Sequence, residues 1–298
     1  MRVAAVDTGT NSTRLLVADV VDGRVEEVAR RLTITRLGEG VDENGRLLSS
    51  ALARVHACLA GYRDEAEVLG AVRTLAIATS AVRDADNGRE FLAEIESSYG
   101  FTTRLLSGEE EAALTFRGVS SDRSVSDGTL LVDIGGGSTE LVLGGPGAVA
   151  FSTSLQLGCV RLTERFLASD PPTESELDVC SAYVRAELPP LAPAGAIGVA
   201  GTVTTIAALD LGLHEYEPER IHRHRIARAS VERELARLAV LPVAARRNVP
   251  GLEPGRAPVI VAGALILREV LRAYDLDEIE ASERDNLHGV ALAAAELM

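Results

Sequence analysis

Two stretches of this chain carry residue types that handle phosphate. Asp7-Thr8-Gly9-Thr10-Asn11-Ser12-Thr13-Arg14-Leu15 and Asp133-Ile134-Gly135-Gly136-Gly137-Ser138-Thr139-Glu140-Leu141 share Asp, Gly, Ser, Thr and Leu at matching places. Each follows an apolar strand and precedes another. A Gly-rich strand–turn–strand exposes consecutive backbone N–H groups and lets a ligand approach without a Cβ in the way. Such clusters of donors form anion nests. Asn11, Ser12, Ser138 and Thr139 add side-chain donors. An ordinary hairpin turn would give the duplicated Asp and Ser/Thr no role. The repeat therefore predicts one phosphate-binding hairpin in each half of the chain.

The leading aspartates are unsuited to touching phosphate directly, because like charges repel. They make sense if a divalent cation or an attacking water lies between. Mg²⁺ takes one or two carboxylates plus phosphate oxygens and keeps several waters. Asp7, Asp133 and Glu140 are the candidates to surround Mg²⁺ or Mn²⁺; the other reading of Glu140 is an exposed strand residue. A third element, Gly198-Val199-Ala200-Gly201-Thr202-Val203-Thr204-Thr205, ends a strand and opens a helix, so Gly201 and Thr202 present N–H groups at a helix N-terminus.

In Ser107-Gly108-Glu109-Glu110-Glu111-Ala112, Ser107 as N-cap with Glu110 at the third position forms a capping box, and Glu109 suits the positive helix end. Glu111 is left without a structural task, which makes it the candidate general base for a hydrolytic water. Cations near such a site are few. Arg14 follows the first loop, and Arg83 follows a strand end in Ala78-Thr79-Ser80-Ala81-Val82-Arg83. The richest cluster is Arg220, His222, Arg223, His224, Arg225 and Arg228; it reads either as part of the site or as a solvated strand face.

The elements that must position these residues alternate between strand and helix, which favours α/β. Strands are expected at Val3–Val6, Arg14–Val20, Arg24–Arg36, Thr74–Ala78 and Thr102–Leu106, with helices at Leu48–Tyr62, Phe91–Ser98 and from Ser107 to about Phe116. After a polar, turn-rich stretch at Ser120–Gly128 comes a second strand group, Leu130–Asp133, Thr139–Leu143 and Val149–Gln156. Mostly helical chain follows, at Val160–Leu167, Glu174–Glu187, Val203–Leu211, Val231–Leu238 and Val259–Ala273. A strand at Glu278–Ala281 and a helix after Asp285 come last.

The length of 298 residues suits two domains. A hydrophobic fraction of 46% fills two cores, built from Ala, Val, Leu and Ile because aromatics make up only 3%. The net charge of −14 argues against nucleic-acid binding. Cys58, Cys159 and Cys180 have no disulfide or zinc spacing. Asp7 interrupts the first apolar run too early for a signal peptide, and Val259 to Leu267 is too short to span a membrane. The cytoplasm is the expected compartment.

With two Asp-x-Gly hairpins and a Gly-Thr turn, the chain resembles the actin/sugar kinase/Hsp70 superfamily. Within it, the chain is similar to the exopolyphosphatase/guanosine pentaphosphate phosphohydrolase (Ppx/GppA) family, in a short two-domain form. The stretches that carry the likeness are Ala5–Ser12, Ala78–Arg83, Ser107–Ala112, Val132–Leu141, Leu157-Gly158-Cys159-Val160-Arg161, Gly201-Thr202 and Ser282-Glu283. The resemblance implies two actin-like (ribonuclease H-like) domains with a cleft between them: residues 1–119 joined by a last helix at about 285–298, and residues 120–284. It implies Glu111 as catalytic base, Asp133 and Glu140 as metal-linked acids and Arg83 as a phosphate-binding arginine. Gly9, Asn11, Ser12, Gly135, Gly136, Gly137 and Ser138 would be its phosphate loops, with Thr10 where Ser is usual. Pro258 departs from the family's pattern at a helix start. The helical region that longer relatives carry after the second domain is missing, which favours short polyphosphates.

The expected activity is release of terminal orthophosphate from short-chain inorganic polyphosphate, with guanosine pentaphosphate as a further substrate, by an enzyme that the family suggests is a homodimer. The alternatives are a low-turnover regulator that binds guanosine tetra- or pentaphosphate, and a small-molecule kinase of the same superfamily.

Overall fold

The computed structural model describes residues 1–297. Two compact units divide them, one made of residues 1–124 with the C-terminal segment from Arg284, the other of residues 125–283. The change from first to second unit, at Ser124–Val125, falls within the polar run from Ser120 to Gly128.

In the first unit the apolar, β-branched opening of the chain makes β1 (Arg2–Thr8) and β2 (Ser12–Val21), and a charged, largely exposed edge strand, β3 (Arg24–Ile34), follows. A short α1 (Val41–Asn44) and the long α2 (Ser49–Val68) lead to β4 (Thr74–Ala78), then α3 (Ser80–Arg83), α4 (Gly88–Tyr99), β5 (Thr102–Leu105) and α5 (Gly108–Val119). The sheet order is β3-β2-β1-β4-β5: an antiparallel meander, then two strands parallel to β1. Alternation along β1 sends Ala4 and Val6 to the face covered by α2 and α4, and Val3 and Ala5 to the opposite face. That second face is closed by the last helix of the chain, which contributes Leu287, Val290 and Ala291. Full burial of a Leu or Val contributes about 1.5–3 kcal/mol each, so this helix is integral to the unit.

The second unit repeats the scheme. β6 (Thr129–Ile134), β7 (Thr139–Gly145) and β8 (Ala148–Leu155) form the meander, followed by α6 (Cys159–Phe166), α7 (Glu174–Glu187), β9 (Gly195–Val199) and α8 (Ala200–Asp210). Then come α9 (Pro218–Ile221), β10 (Arg225–Ala227), α10 (Arg228–Ala239), α11 (Val243–Arg246), a 3₁₀ turn (Pro254–Arg256), α12 (Ile260–Ala273) and β11 (Glu278–Ala281). The order is β10-β11-β9-β6-β7-β8, with β9 parallel to β6 and β11 parallel to β9. α13 (Asn286–Glu296) returns to the first unit. Both meanders shift register at the same place, between Val17 and Ala18 in one and Leu143 and Gly144 in the other. The duplication seen in the loops thus extends to the bulge that bends each sheet. This is a mixed α/β fold of two actin-like (ribonuclease H-like) units.

The segment from Arg220 to Arg228 does not form the strand expected of it. Pro218 sits in the first turn of α9, Arg223 adopts a left-handed φ of 67°, and only residues 225–227 pair with β11. α8 also starts earlier than the apolar run from Val203 suggests, because Ala200 turns into the helix with φ 64°.

Candidate active site

The two hairpin loops are built alike. In the first, the Gly9 N–H donates to the Ser12 carbonyl at 3.0 Å; in the second, the Gly135 N–H donates to the Ser138 carbonyl at 3.0 Å. The carbonyls of Thr10 and Asn11 accept from the N–H groups of Gly38 and Arg36, at 2.8 and 2.9 Å. In a trans peptide the C=O and the following N–H point in opposite directions. The N–H groups of Asn11 and Ser12 therefore face away from the segment that holds their carbonyls. In the second unit the carbonyl of Gly135 accepts from Cys159 N–H at 3.0 Å and that of Gly136 from Val160 N–H at 2.9 Å, both at the start of α6. Arg161 Nε donates to the Gly137 carbonyl at 2.8 Å. By the same reasoning the N–H groups of Gly136, Gly137 and Ser138 turn away from α6 together. Each unit so presents a short row of backbone donors, the geometry of an anion nest.

Close packing fixes these rows. A Cβ on Gly158 would lie 2.1 Å from the Gly136 carbonyl oxygen, and one on Gly38 would lie 2.3 Å from Cγ2 of Thr10. Cys159 is buried under the second loop, and burial pushes its thiol up to about 11. It is therefore neutral near pH 7 and no nucleophile.

The acids occupy equivalent register positions with opposite outcomes. Asp7 faces Arg14 across β1 and β2, and Asp133 faces Glu140 across β6 and β7. In the first pair Arg14 Nη2 reaches Asp7 Oδ2 at 2.5 Å. The Oδ1 of Asp7 and the Nδ2 of Asn11 are buried without a hydrogen-bond partner among the described residues. In the second pair both acids are buried, and Glu140 is only 1% exposed, so its reading as an exposed strand residue does not stand. Ser154 Oγ donates to Glu140 Oε1 at 2.6 Å. Directly opposed like charges are unfavourable on a sheet and costly when buried. No cluster of three His, Cys, Asp or Glu able to hold a metal occurs among the described residues. Two carboxylates fit Mg²⁺ nonetheless, since that ion normally completes its shell with water and phosphate oxygens.

Glu111 lies in the first turn of α5. The capping box forms: Glu110 N–H donates to Ser107 Oγ at 3.2 Å, and Ser107 N–H donates to Glu110 Oε2 at 2.8 Å. The Ser107 backbone, and Arg104 beside it, hold the Glu110 carboxyl below its ordinary range. Glu111 is instead buried, with Oε2 3.6 Å from Arg83 Nη1. That nitrogen also donates to the Leu106 carbonyl at 2.7 Å, so Arg83 and Glu111 meet at one spot although α3 and α5 are separated in the chain.

The Gly198–Thr205 turn brings a residue that the sequence does not flag. A Cβ on Gly201 would lie 1.6 Å from Nη1 of Arg256, so the missing side chain makes room for a guanidinium from the 3₁₀ turn. Its only hint in sequence is the glycine itself. The Arg220–Arg228 cluster, by contrast, is matched by acids of its own unit. Arg220 pairs with Glu217 at 3.0 Å, Arg225 with Glu278 at 2.6 Å, Arg228 with Asp277 at 3.1 Å and His224 with Asp210 at 2.8 Å. No helix among the described residues is long and apolar enough to cross a membrane.

Comparison with known proteins agrees with this architecture. The chain is 39% identical to exopolyphosphatase 2 of Mycobacterium tuberculosis, over 99% of this chain and 98% of that one. It is 28% identical to a guanosine-5'-triphosphate,3'-diphosphate pyrophosphatase of Vibrio atlanticus, over 93% of this chain and 56% of the relative. Among solved structures, a Ppx-GppA enzyme of Aquifex aeolicus superposes with a TM-score of 0.83 at 32% identity, covering 98% of this chain and 99% of that chain. The Ppx/GppA phosphatase family matches residues 16–296, and to that family the chain belongs.

Proposed function

We propose that this protein is an exopolyphosphatase that removes the terminal orthophosphate of short inorganic polyphosphate chains. As a Ppx/GppA phosphatase it is a phosphoanhydride hydrolase. The observation that carries the finer reading is that each unit has a loop whose backbone N–H groups turn away from the segment holding its carbonyls, and that in the second unit this loop joins the strands carrying the buried Asp133–Glu140 pair. In this reading Asn11 and Ser12, with Gly9 and Thr10, and Gly135, Gly136, Gly137 and Ser138 hold phosphate oxygens. Arg83, with Gly201 and Thr202, adds donors. Asp133 and Glu140, with the bare Oδ1 of Asp7, would hold Mg²⁺ or Mn²⁺, which supplies charge neutralisation on the phosphate oxygens. Glu111 takes the proton of a water as its oxygen attacks the terminal phosphorus. The bridging P–O bond breaks, and its electron pair leaves on the shortened chain.

The body charge of −14 favours short chains, since phosphates running beyond the site meet repulsion out to about 8 Å at physiological salt. The Vibrio relative's name supports guanosine pentaphosphate as a second substrate. Phosphate release measured in parallel on short polyphosphate, long polyphosphate, guanosine pentaphosphate and ATP tests the proposal. Fastest kcat/KM on short polyphosphate is expected. Exclusive use of guanosine pentaphosphate, or kcat/KM that climbs steadily far along the polyphosphate series, would overturn it.

A further inference from the structure

We propose that the first turn of α13, through Asp285 and Asn286, is the positioning device for Asp7. The proposal deepens the reading of the first hairpin as part of the phosphate and metal site, and rests on it. Arg14 Nε and Nη2 both reach Oδ2 of Asp7, at 3.2 and 2.5 Å. The same guanidinium donates from Nη1 to Asp285 Oδ2 at 2.5 Å and from Nη2 to Asn286 Oδ1 at 2.7 Å. Asn286 Nδ2 closes the ring on Asp7 Oδ2 at 3.3 Å. The donors converge on one oxygen of Asp7, while the other, Oδ1, is buried and receives no hydrogen bond among the described residues.

A purely structural ion pair would engage both oxygens, because a buried acceptor left unmade costs about 1–3 kcal/mol. Saturating Oδ2 and leaving Oδ1 bare instead fixes the rotamer and reserves one oxygen for a ligand of the loop. The clamp itself is rigid. Asp285 caps α13 by accepting the Leu287 N–H at 3.0 Å, and Arg30 reaches its Oδ2 at 3.1 Å. α13 also lies in near backbone contact with α5, the helix that carries Glu111. A Cβ on Gly118 would lie 1.9 Å from the Asp285 carbonyl, and one on Gly289 would lie 2.0 Å from that of Leu114. One helix end therefore sets the direction of Asp7 and is locked to the helix bearing Glu111. Arg14, in this arrangement, serves Asp7 and not the substrate.

The test compares Asn286→Ala and Arg14→Lys in the full chain. The control is Arg117→Ala, which loosens the far end of α13 by removing the pair with Glu296 (2.9 Å). Phosphate release from short polyphosphate gives kcat and KM, and amide hydrogen exchange reports residues 7–14 against β4. Partners that orient a ligand typically contribute about 10–100-fold, so kcat is expected to fall by that factor in both variants with KM little changed. Exchange should rise over residues 7–14 but not in β4. Lys keeps the charge but lacks the rigid fork that reaches Asp7, Asp285 and Asn286 from three nitrogens, so it should not rescue. The control should keep wild-type kcat. A raised KM at unchanged kcat in Arg14→Lys would make Arg14 a phosphate ligand and overturn the proposal, as would unchanged kcat and exchange in Asn286→Ala. If the wild-type protein releases no phosphate at all, the hydrolase reading fails separately, and exchange over residues 7–14 alone decides for or against the clamp.

Discussion

Replacing Glu111 by Gln tests the proposed chemistry most directly, because the structure separates its effect on rate from its effect on stability. A positioned general base contributes about 10²–10⁴-fold in rate. At about 1.36 kcal/mol per decade, the barrier should rise by roughly 2.7–5.4 kcal/mol. The cost to folding is read separately. Glu111 is in the first turn of α5, where a negative charge contributes about 0.3–1 kcal/mol. Its ion pair with Arg83 is long, at 3.6 Å, and Arg83 keeps its bond to Leu106 without it. Breaking a buried pair costs up to about 3–5 kcal/mol, and the low end applies here because the contact is long, Arg83 is partly exposed and it keeps its carbonyl partner. The sum stays below the roughly 5–15 kcal/mol that keeps a domain folded, so the variant should fold with a measurable loss of stability. Gln fills the same space, so phosphate binding should persist. The assay is phosphate release at saturating short polyphosphate, with urea unfolding on the same preparation. The expected result is a kcat loss of two to four decades, KM little changed and a single cooperative unfolding transition, at most a few kcal/mol less stable than wild type. Glu110→Gln is the internal comparison: its carboxylate serves the cap and Arg104, so it should lose about 1 kcal/mol of stability and little rate. Near-wild-type turnover in Glu111→Gln, or an equal rate loss in both variants, would refute the reasoning.

Asp133→Asn should raise the Mg²⁺ concentration for half-maximal rate by about tenfold or more, the change expected if that carboxylate contributes about 1.4 kcal/mol to ion binding; full wild-type rate in excess EDTA would exclude the metal role. Burial raises the Asp285 carboxyl, but Arg14 and Arg30 outweigh this and hold it well below the ordinary range. Its stabilisation is therefore complete above the ordinary aspartate value near ~4 and is lost as pH falls below it, contributing up to about 1.4 kcal/mol per pH unit to the acid limb. In urea titrations from pH 7 down to pH 3, Asp285→Asn should show a flatter fall than wild type; identical slopes would contradict the ion-pair geometry. Gly158→Ala should cost about 1–3 kcal/mol and raise KM, because its Cβ would meet a backbone carbonyl of the second loop at 2.1 Å. Gly195→Ala, where a Cβ meets nothing within 4 Å, should do neither. Equal behaviour of the two would show that the loop is not held by that contact.

What could be read from the residues alone follows from how local each cause is. The paired hairpins, the Ser107–Glu110 cap and the exclusion of Glu111 from that cap depend on neighbours a few positions apart. Strand and helix periods survive the same way, and the two meanders with their helices were legible for that reason. The fate of Arg14 was not, since its second carboxylate, Asp285, comes from the opposite end of the sequence. The burial of Glu140 depends on Ser154 and the strands around it. The Arg220–Arg228 run looked like a charged strand because its compensating acids, Glu278 and Asp277 among them, lie elsewhere in the chain. Arg256 was invisible because a glycine says that something approaches but not what.

The division of the first unit between the two ends of the chain also bears on how the protein is made. On the ribosome, β1 to α5 emerge before the second unit, with one face of their sheet uncovered. Leu287, Val290 and Ala291, which close that face, emerge only after the second unit. Residues 125–283 must be synthesised in between, a delay of roughly 8–30 s at the ~5–20 residues per second of translation. During that interval Val3, Ala5 and Leu16 lack their final cover. The second unit, contiguous in sequence, has no such wait. Vectorial synthesis therefore favours completing the later half of the protein before the earlier one.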